Sequence, residues 1–251
     1  MDDELISIIM PSYNSEKWIR ETISSVKAQT YCNWELVITD DSSTDHTVEL
    51  IRREQAEDNR IHLFVSPVNR GAGKARNNSL DNAHGRYIAY LDSDDLWLDY
   101  KLEHQLKFMK SNNISMCYTD YDIVDENAEF RKTIHVPKQV SYSEYLKRPI
   151  TCTHSIMFDT NVISKNLLYM PDVRRGQDGA TWLQVMKTGV TGHALSEPLA
   201  KYRRHEGSLS SNKFKAAGRI WYLYRNIEHI SLPYACRCFI SYAINAVRKY
   251  I

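Results

Sequence analysis

The chain has 251 residues, enough to bury one large α/β core, and its 43% apolar and 25% charged residues are ordinary for a folded soluble protein. A formal net charge of +1 gives no global argument for nucleic-acid binding, and no uninterrupted apolar stretch is long enough to span a bilayer. The five cysteines are odd in number and lack the paired spacing of a zinc site, and the start Met1-Asp2-Asp3-Glu4 has neither the basic region nor the apolar core of a secretory leader, so reduced thiols in a cytoplasmic compartment are expected.

Taken in chain order, short β-like runs alternate with amphipathic helices, the pattern of a mainly parallel sheet covered on both faces. Residues 5–10 read as the first strand, closed by Pro11, and Trp18, Ile19, Ile23 and Val26 recur at helical spacing in a helix over 15–29. The second strand, 34–39, ends on Asp40 and Asp41, and Ser42-Ser43-Thr44-Asp45 caps a helix through Val48 and Ile51. A third strand, 61–65, leads to a loop over 69–78 and a helix ending near His84-Gly85. The fourth strand, 87–91, runs directly into Asp92-Ser93-Asp94-Asp95, where an Asp or Ser is also placed to cap a helix beginning near Leu96. A helix over 99–111 and a strand over 114–119 complete the regular half.

The remainder is less periodic. It shows a strand or hairpin over 123–136, a short helix over 141–146, an apolar run over 155–158, a polar loop over 174–179 and a helix over 180–188. Helical segments follow from Lys213, the last two separated by Pro233. No low-complexity linker interrupts the chain, so two lobes of one domain are expected: 1–119 and 120–212, with a helical appendage over 213–251. The last fifth sets ten Lys and Arg against Glu206 and Glu228; such a basic, aromatic segment suits anionic lipid head groups or a solvated helix face.

Ligands of open α/β sheets lie outside the carboxyl ends of the strands. Four groups fall there: Pro11-Ser12-Tyr13-Asn14, Asp40-Asp41, Asn69 to Arg76, and Asp92 to Asp95. Carboxylates crowded at a buried strand end repel one another, and a divalent cation on a diphosphate offsets that repulsion. Carboxylates at two strand ends then divide the work, one accepting a base N–H and the other binding the metal. Gly71-Ala72-Gly73 lacks the third glycine of a dinucleotide fingerprint, and no GxxxxGK[ST] loop is present.

Ile8-Ile9-Met10-Pro11-Ser12-Tyr13-Asn14, Val37-Ile38-Thr39-Asp40-Asp41-Ser42-Ser43-Thr44-Asp45, Asn69-Arg70-Gly71 with Ala75-Arg76-Asn77, and Tyr90-Leu91-Asp92-Ser93-Asp94-Asp95 together resemble the family 2 inverting glycosyltransferases. Gln177-Asp178 with Trp182, and the tract from Leu199 to Ser210, extend the resemblance over nearly the whole chain, towards the enzymes of teichuronic acid and O-antigen synthesis. The resemblance implies a GT-A fold, α/β and Rossmann-like, with C-terminal helices. It places a nucleotide-sugar donor against Pro11, Tyr13, Asn14, Asp40, Asp41, Asn69, Arg70, Gly71, Arg76, Asp92, Ser93, Asp94 and His205, although Asp40, adjacent to Asp41 on a strand end, is also expected to point away from the ligand. It also implies Mn²⁺ or Mg²⁺ held by Asp94 with Asp92 and His205, and Asp178 as catalytic base. Members usually carry Glu-Asp where this chain has Gln177-Asp178, so the base is retained and an acceptor contact is altered. The implied donor is UDP-glucose, UDP-galactose or UDP-N-acetylglucosamine. The implied acceptor is an undecaprenyl-diphosphate-linked saccharide, reached from the cytoplasmic membrane face with peripheral contact through the C-terminal helices, and no nucleic acid is involved. Trp182 and Trp221 are candidates for stacking on sugar or for the core. Two competing readings are a sugar-phosphate nucleotidyltransferase, which calls for a Gly-rich basic loop after the first strand, and a non-catalytic nucleotide-binding protein.

Overall fold

The structure, a computed structural model, describes residues 4–149, 153–173, 176–205 and 213–248. Strands β1 (Ile6–Ser12), β2 (Trp34–Asp40), β3 (Ile61–Val65) and β4 (Tyr87–Tyr90) pair in parallel in the order β3-β2-β1-β4. The crossovers are helices α1 (Ile19–Lys27), α2 (Thr47–Glu57) and α3 (Ala72–Asp81). Every residue of β1, β2 and β4 is buried, the condition for strands covered on both faces to read as continuous apolar runs.

The chain continues through β5 (Leu96–Trp97), α4 (Lys101–Asn112), β6 (Met116–Val124), β7 (Phe130–Ile134), β8 (Gln139–Val140), α5 (Tyr142–Lys147), β9 (Met157–Asp159), α6 (Gln177–Met186), β10 (Gly192–Arg203), α7 (Lys213–Tyr222) and α8 (Leu232–Arg248). These extend the same sheet as β4-β9-β6-β10-β5, with β7 on β6 and β8 on β10. Short β9 is antiparallel to both β4 and β6, and β10 is parallel to β6. Strands β3, β2, β1, β4, β6 and β10 therefore share one direction, and the sheet is mainly parallel as expected.

Local structure departs from expectation where tertiary contacts override local signals. Leu96 opens no helix: it and Trp97 pair with β10, and the Trp97 indole N–H donates to the His154 carbonyl at 2.6 Å, so the helix waits until Lys101. Helix α3 begins at Ala72, inside the expected loop. Its asparagines are satisfied elsewhere, Asn77 exchanging two 2.8 Å bonds with the Met170 backbone and Asn78 donating to Thr39 Oγ1 at 3.0 Å. Helix α6 likewise starts early, at Gln177, because Gly176 takes the left-handed conformation (φ 74°) before it. Helix α1 is shorter than its 15–29 pattern, since Ser15 to Trp18 form a turn closed onto the Ser15 carbonyl. Strand β10, twelve residues long, has no counterpart among the expected elements, since shifts in register around Pro198 break its alternation.

Trp182 of α6 is buried between Tyr90 and Phe158, with ring centroids 5.2 and 5.1 Å away, so it belongs to the core and anchors the helix whose first turn carries Asp178. Trp221 packs edge-on against Phe239, tying α7 to α8. The C-terminal helices close onto α5: the buried Tyr224 hydroxyl donates to the Leu146 carbonyl, and Tyr142 donates to Glu228 at 2.5 Å.

Candidate active site

Beyond Pro11 and Ser12 the chain turns sharply, leaving Tyr13 half-exposed and Asn14 at a positive φ of 47°, which asparagine tolerates better than most residues. Asn14 ties two loops together: its N–H donates to Ser43 Oγ at 2.8 Å, and its Oδ1 accepts the Thr44 N–H at 2.9 Å. Asp41 donates its N–H to the Ser12 carbonyl at 2.8 Å, and its carboxylate accepts the N–H groups of Arg70 and Gly71 at 2.9 and 2.6 Å. Gly71, at φ 92°, then turns the chain into α3. A cleft of about 320 Å³ lies among these strand ends.

The acidic turn after β4 forms another wall. Arg76 reaches from α3, and its Nη2 donates to Asp92 Oδ1 at 2.5 Å. Burial alone would lower the Arg76 pKa, but the bond and charge of Asp92, reinforced by the charge of Asp178, raise it. Ser93 Oγ and Ser15 Oγ are 2.7 Å apart. Asp94 Oδ2 lies 3.1 Å from His205 Nε2, and the His205 ring rests on Trp18 with centroids 4.2 Å apart. Burial, followed by the charges of Asp95 and Asp92, pushes the Asp94 pKa up to about 7 against the opposing effect of His205. Burial, more than the neighbouring carboxylates, disfavours the charged form there.

Behind the cleft Asp95 is fully buried. Its Oδ1 accepts the Arg203 N–H at 2.8 Å, and its Oδ2 lies 3.1 Å from His154 Nδ1. Burial raises the Asp95 pKa, while the His154 ring and the Arg203 N–H work against that rise.

The cleft is lined by Pro11, Tyr13, Asn14, Asp41, Arg76, Asp92, Ser93, Asp94 and His205 of the expected donor set. Asn69, Arg70 and Gly71 are not among its lining residues; the Arg70 and Gly71 backbone is linked to it through Asp41. Asp40 is not brought to it, because its fully buried carboxylate accepts the Ser43 N–H and Oγ–H at 2.8 and 2.5 Å. Asp40 is thus the one of the two adjacent acids that turns away from the cleft, as alternation along a strand requires. Asp178 sits apart in the first turn of α6, where Thr153 Oγ1 donates to its Oδ2 at 3.0 Å. Gln177 beside it packs on Gly73, whose added Cβ would stand 3.2 Å from Gln177 Cγ. Glu206 to Ser210 of the C-terminal tract lie outside the described residues.

Trp18 and Tyr202 also line the cleft, and neither carries a sequence signal of a site role. In the sequence Trp18 is one more apolar position at helical spacing, and only in the structure does it stand ahead of the first helical residue, Ile19. A larger groove, about 500 Å³, runs along the outer face of α2 from Asp45 to Ala56, but it draws its lining from a single short stretch of chain.

Among the described residues no group of three or more His, Cys, Asp and Glu side chains is arranged to hold a metal by itself. The pair Asp94 and His205, with Asp92 on the same wall, instead fits a hard cation that takes few protein ligands and completes its shell from water and phosphate oxygens.

A family model described as glycosyl transferase family 2 matches residues 7–167. The putative teichuronic acid biosynthesis glycosyltransferase TuaG of Bacillus subtilis is 41% identical over 98% of this chain and 97% of its own length. An Escherichia coli protein named UDP-Glc:alpha-D-GlcNAc-diphosphoundecaprenol beta-1,3-glucosyltransferase WfgD is 40% identical over 88% of this chain and 85% of its own. Among solved structures, S. aureus TarS 1-349 in complex with UDP-GlcNAc superposes with a TM-score of 0.69 at 23% identity, covering 93% of this chain and 70% of that one.

Proposed function

From the premise that this chain belongs to glycosyl transferase family 2 and is a glycosyltransferase with the GT-A fold, we propose that it moves a hexose from a UDP-sugar, with inversion, onto a lipid-diphosphate-linked saccharide in the synthesis of a bacterial surface polysaccharide. The observation that carries this reading is the single cleft in which Tyr13 and Asp41, suited to a nucleoside, face Asp94 and His205, suited to a metal-bound diphosphate. The named activity of WfgD supports the donor and acceptor classes.

The chain's residues divide the work. Tyr13 and Asp41 hold the nucleoside, with the Asn69-Arg70-Gly71 loop kept in place by Asp41. Asp94 and His205, with Asp92 beside them, would hold Mn²⁺ or Mg²⁺, which when bound stabilises the departing diphosphate. Arg76 joins Asp92 and lies within the field of Asp178, linking the donor side to the base. Asp178, oriented by Thr153, takes the proton of the acceptor hydroxyl as its oxygen bonds to the anomeric carbon and the bond from that carbon to the diphosphate oxygen breaks. The products are UDP and a β-linked saccharide from an α-linked donor.

The segment 213–251 serves as the membrane-facing part. Among the described residues no helix is long and apolar enough to cross a membrane. Yet Leu232, Cys236, Ile240 and Ile244 recur every four residues along α8, all exposed, beside an exposed Arg237. An apolar stripe flanked by positive charge suits the surface of an anionic bilayer, where a lipid-linked acceptor resides.

A titration of UDP with and without Mn²⁺, on the wild type and on Asp94→Ala, tests the site. Metal-enhanced binding that disappears in Asp94→Ala supports it, and failure of UDP to bind in either protein rejects the uridine donor.

A further inference from the structure

Arg203 is the last residue of β10, and its charged side chain is only 1% exposed. Its Nε donates to the Asp94 carbonyl at 2.8 Å, its Nη1 to the Glu126 carbonyl at 2.8 Å, and its Nη2 to Glu21 Oε2 at 2.7 Å. Its backbone N–H donates to buried Asp95 at 2.8 Å. A fork with all three donor nitrogens engaged in different directions is something arginine provides and lysine does not.

The placement of this fork has a consequence for Asp94 and His205. It grips the Asp94 peptide through space, and it stands two residues before His205 in the chain. One buried guanidinium thus restrains both ends of the 3.1 Å contact between Asp94 and His205. Its other anchors, Glu21 in α1 and Glu126 in the turn between β6 and β7, flank Trp18, against which His205 rests: Lys17 beside Trp18 pairs with Glu126 at 2.6 Å. Metal-binding groups are held by hydrogen-bonded neighbours of this kind, and loss of such a neighbour weakens metal binding without removing a ligand.

We propose that Arg203 is a positioning residue for divalent-metal binding, setting the separation and orientation of Asp94 and His205. The inference rests on the metal-dependent reading above. The test measures free Mn²⁺ by its electron-spin signal during titration of the protein with UDP present, for the wild type, Arg203→Lys and Glu21→Gln. Glu21→Gln removes one charged anchor from a half-exposed partner and leaves the remaining bonds, which keeps a folded variant available. The expected result is Mn²⁺ binding weakened about tenfold or more in Arg203→Lys and by a smaller factor in Glu21→Gln, with UDP affinity in the absence of metal unchanged. If both variants bind Mn²⁺ as the wild type does, whatever their thermal midpoints, Arg203 is merely structural and the inference fails alone. If the wild type itself binds no Mn²⁺ with UDP, the inference and the metal-dependent reading fall together.

Discussion

Asp94 and His205 are 111 residues apart in the chain, yet their Oδ2 and Nε2 atoms lie 3.1 Å from each other on the wall of the cleft. Strand β10 creates that proximity by running parallel to β6 and delivering its end beside the acidic turn. His205→Gln keeps a polar side chain of similar size but loses the imidazole. It is expected to raise the Mn²⁺ concentration needed for half-maximal UDP binding by about tenfold or more while leaving metal-free UDP affinity alone. Unaltered metal dependence would remove His205 from the metal site.

Asp178 stands outside the donor cleft, held by Thr153, so donor binding and base function should separate. Asp178→Asn is expected to lower kcat by about 10²–10⁴ while UDP and Mn²⁺ binding stay at wild-type values. Thr153→Val, which removes only the orienting bond, should give a smaller loss in kcat. The measurement is steady-state transfer alongside equilibrium donor binding, and a loss of donor affinity matching the loss of rate would transfer Asp178 to the donor site.

The strand ends that meet in the cleft are legible in the sequence because their signals are local. Buried parallel strands read as apolar runs, and β1 and β4 each run into polar residues that line the cleft, Tyr13 after β1 and Asp92 after β4. Asp40 and Asp41 are adjacent at one strand end and both buried; alternation requires that one turn away, and the hydrogen bonds of Ser43, Arg70 and Gly71 show how each is held. Strand β10 is not legible because shifts in register around Pro198 hide its period, and the partners of Arg203 lie far from it in the sequence, in α1 and in the turns after β4 and β6. Trp18 was hidden differently, since an aromatic residue at helical spacing looks the same whether it faces a core or a ligand.

Lys101 supplies a pH prediction independent of the cleft. It is fully buried on α4, donates to Gln105 Oε1 at 2.7 Å, and lies 3.9 Å from the centre of the Trp97 ring. Burial pushes its pKa down to about 7 from an ordinary value of 10.5, a drop that Cys117 only partly opposes. Between those values the unfolded chain holds the extra proton, so stability contributed by this site rises with pH from about 7 towards 10.5, and the cost of burying the charge is greatest below 7. Lys101→Met is therefore expected to stabilise the protein most at pH 6, with an advantage that shrinks by up to about 1.4 kcal/mol per pH unit above 7. Urea midpoints of both proteins at pH 6, 7.5 and 9 provide the comparison, and parallel curves would contradict the depressed pKa.

The stripe on α8 gives the membrane reading its own test, separable from catalysis. Ile240 and Ile244 are 61% and 48% exposed, so replacing them with charge removes little from the core and should leave the unfolding midpoint near that of the wild type. Burying two such side chains in a bilayer interface is worth roughly 1.5–3 kcal/mol each by apolar transfer, of which a partly inserted helix realises a fraction. Ile240→Glu with Ile244→Glu is thus expected to lower co-sedimentation with phosphatidylglycerol vesicles by more than tenfold, because the two new carboxylates also meet a negatively charged surface. Transfer to a water-soluble acceptor analogue should be unaffected, while transfer to a lipid-linked acceptor in vesicles should fall. Equal sedimentation of the wild type and the double variant would mean that this face of α8 meets something other than lipid.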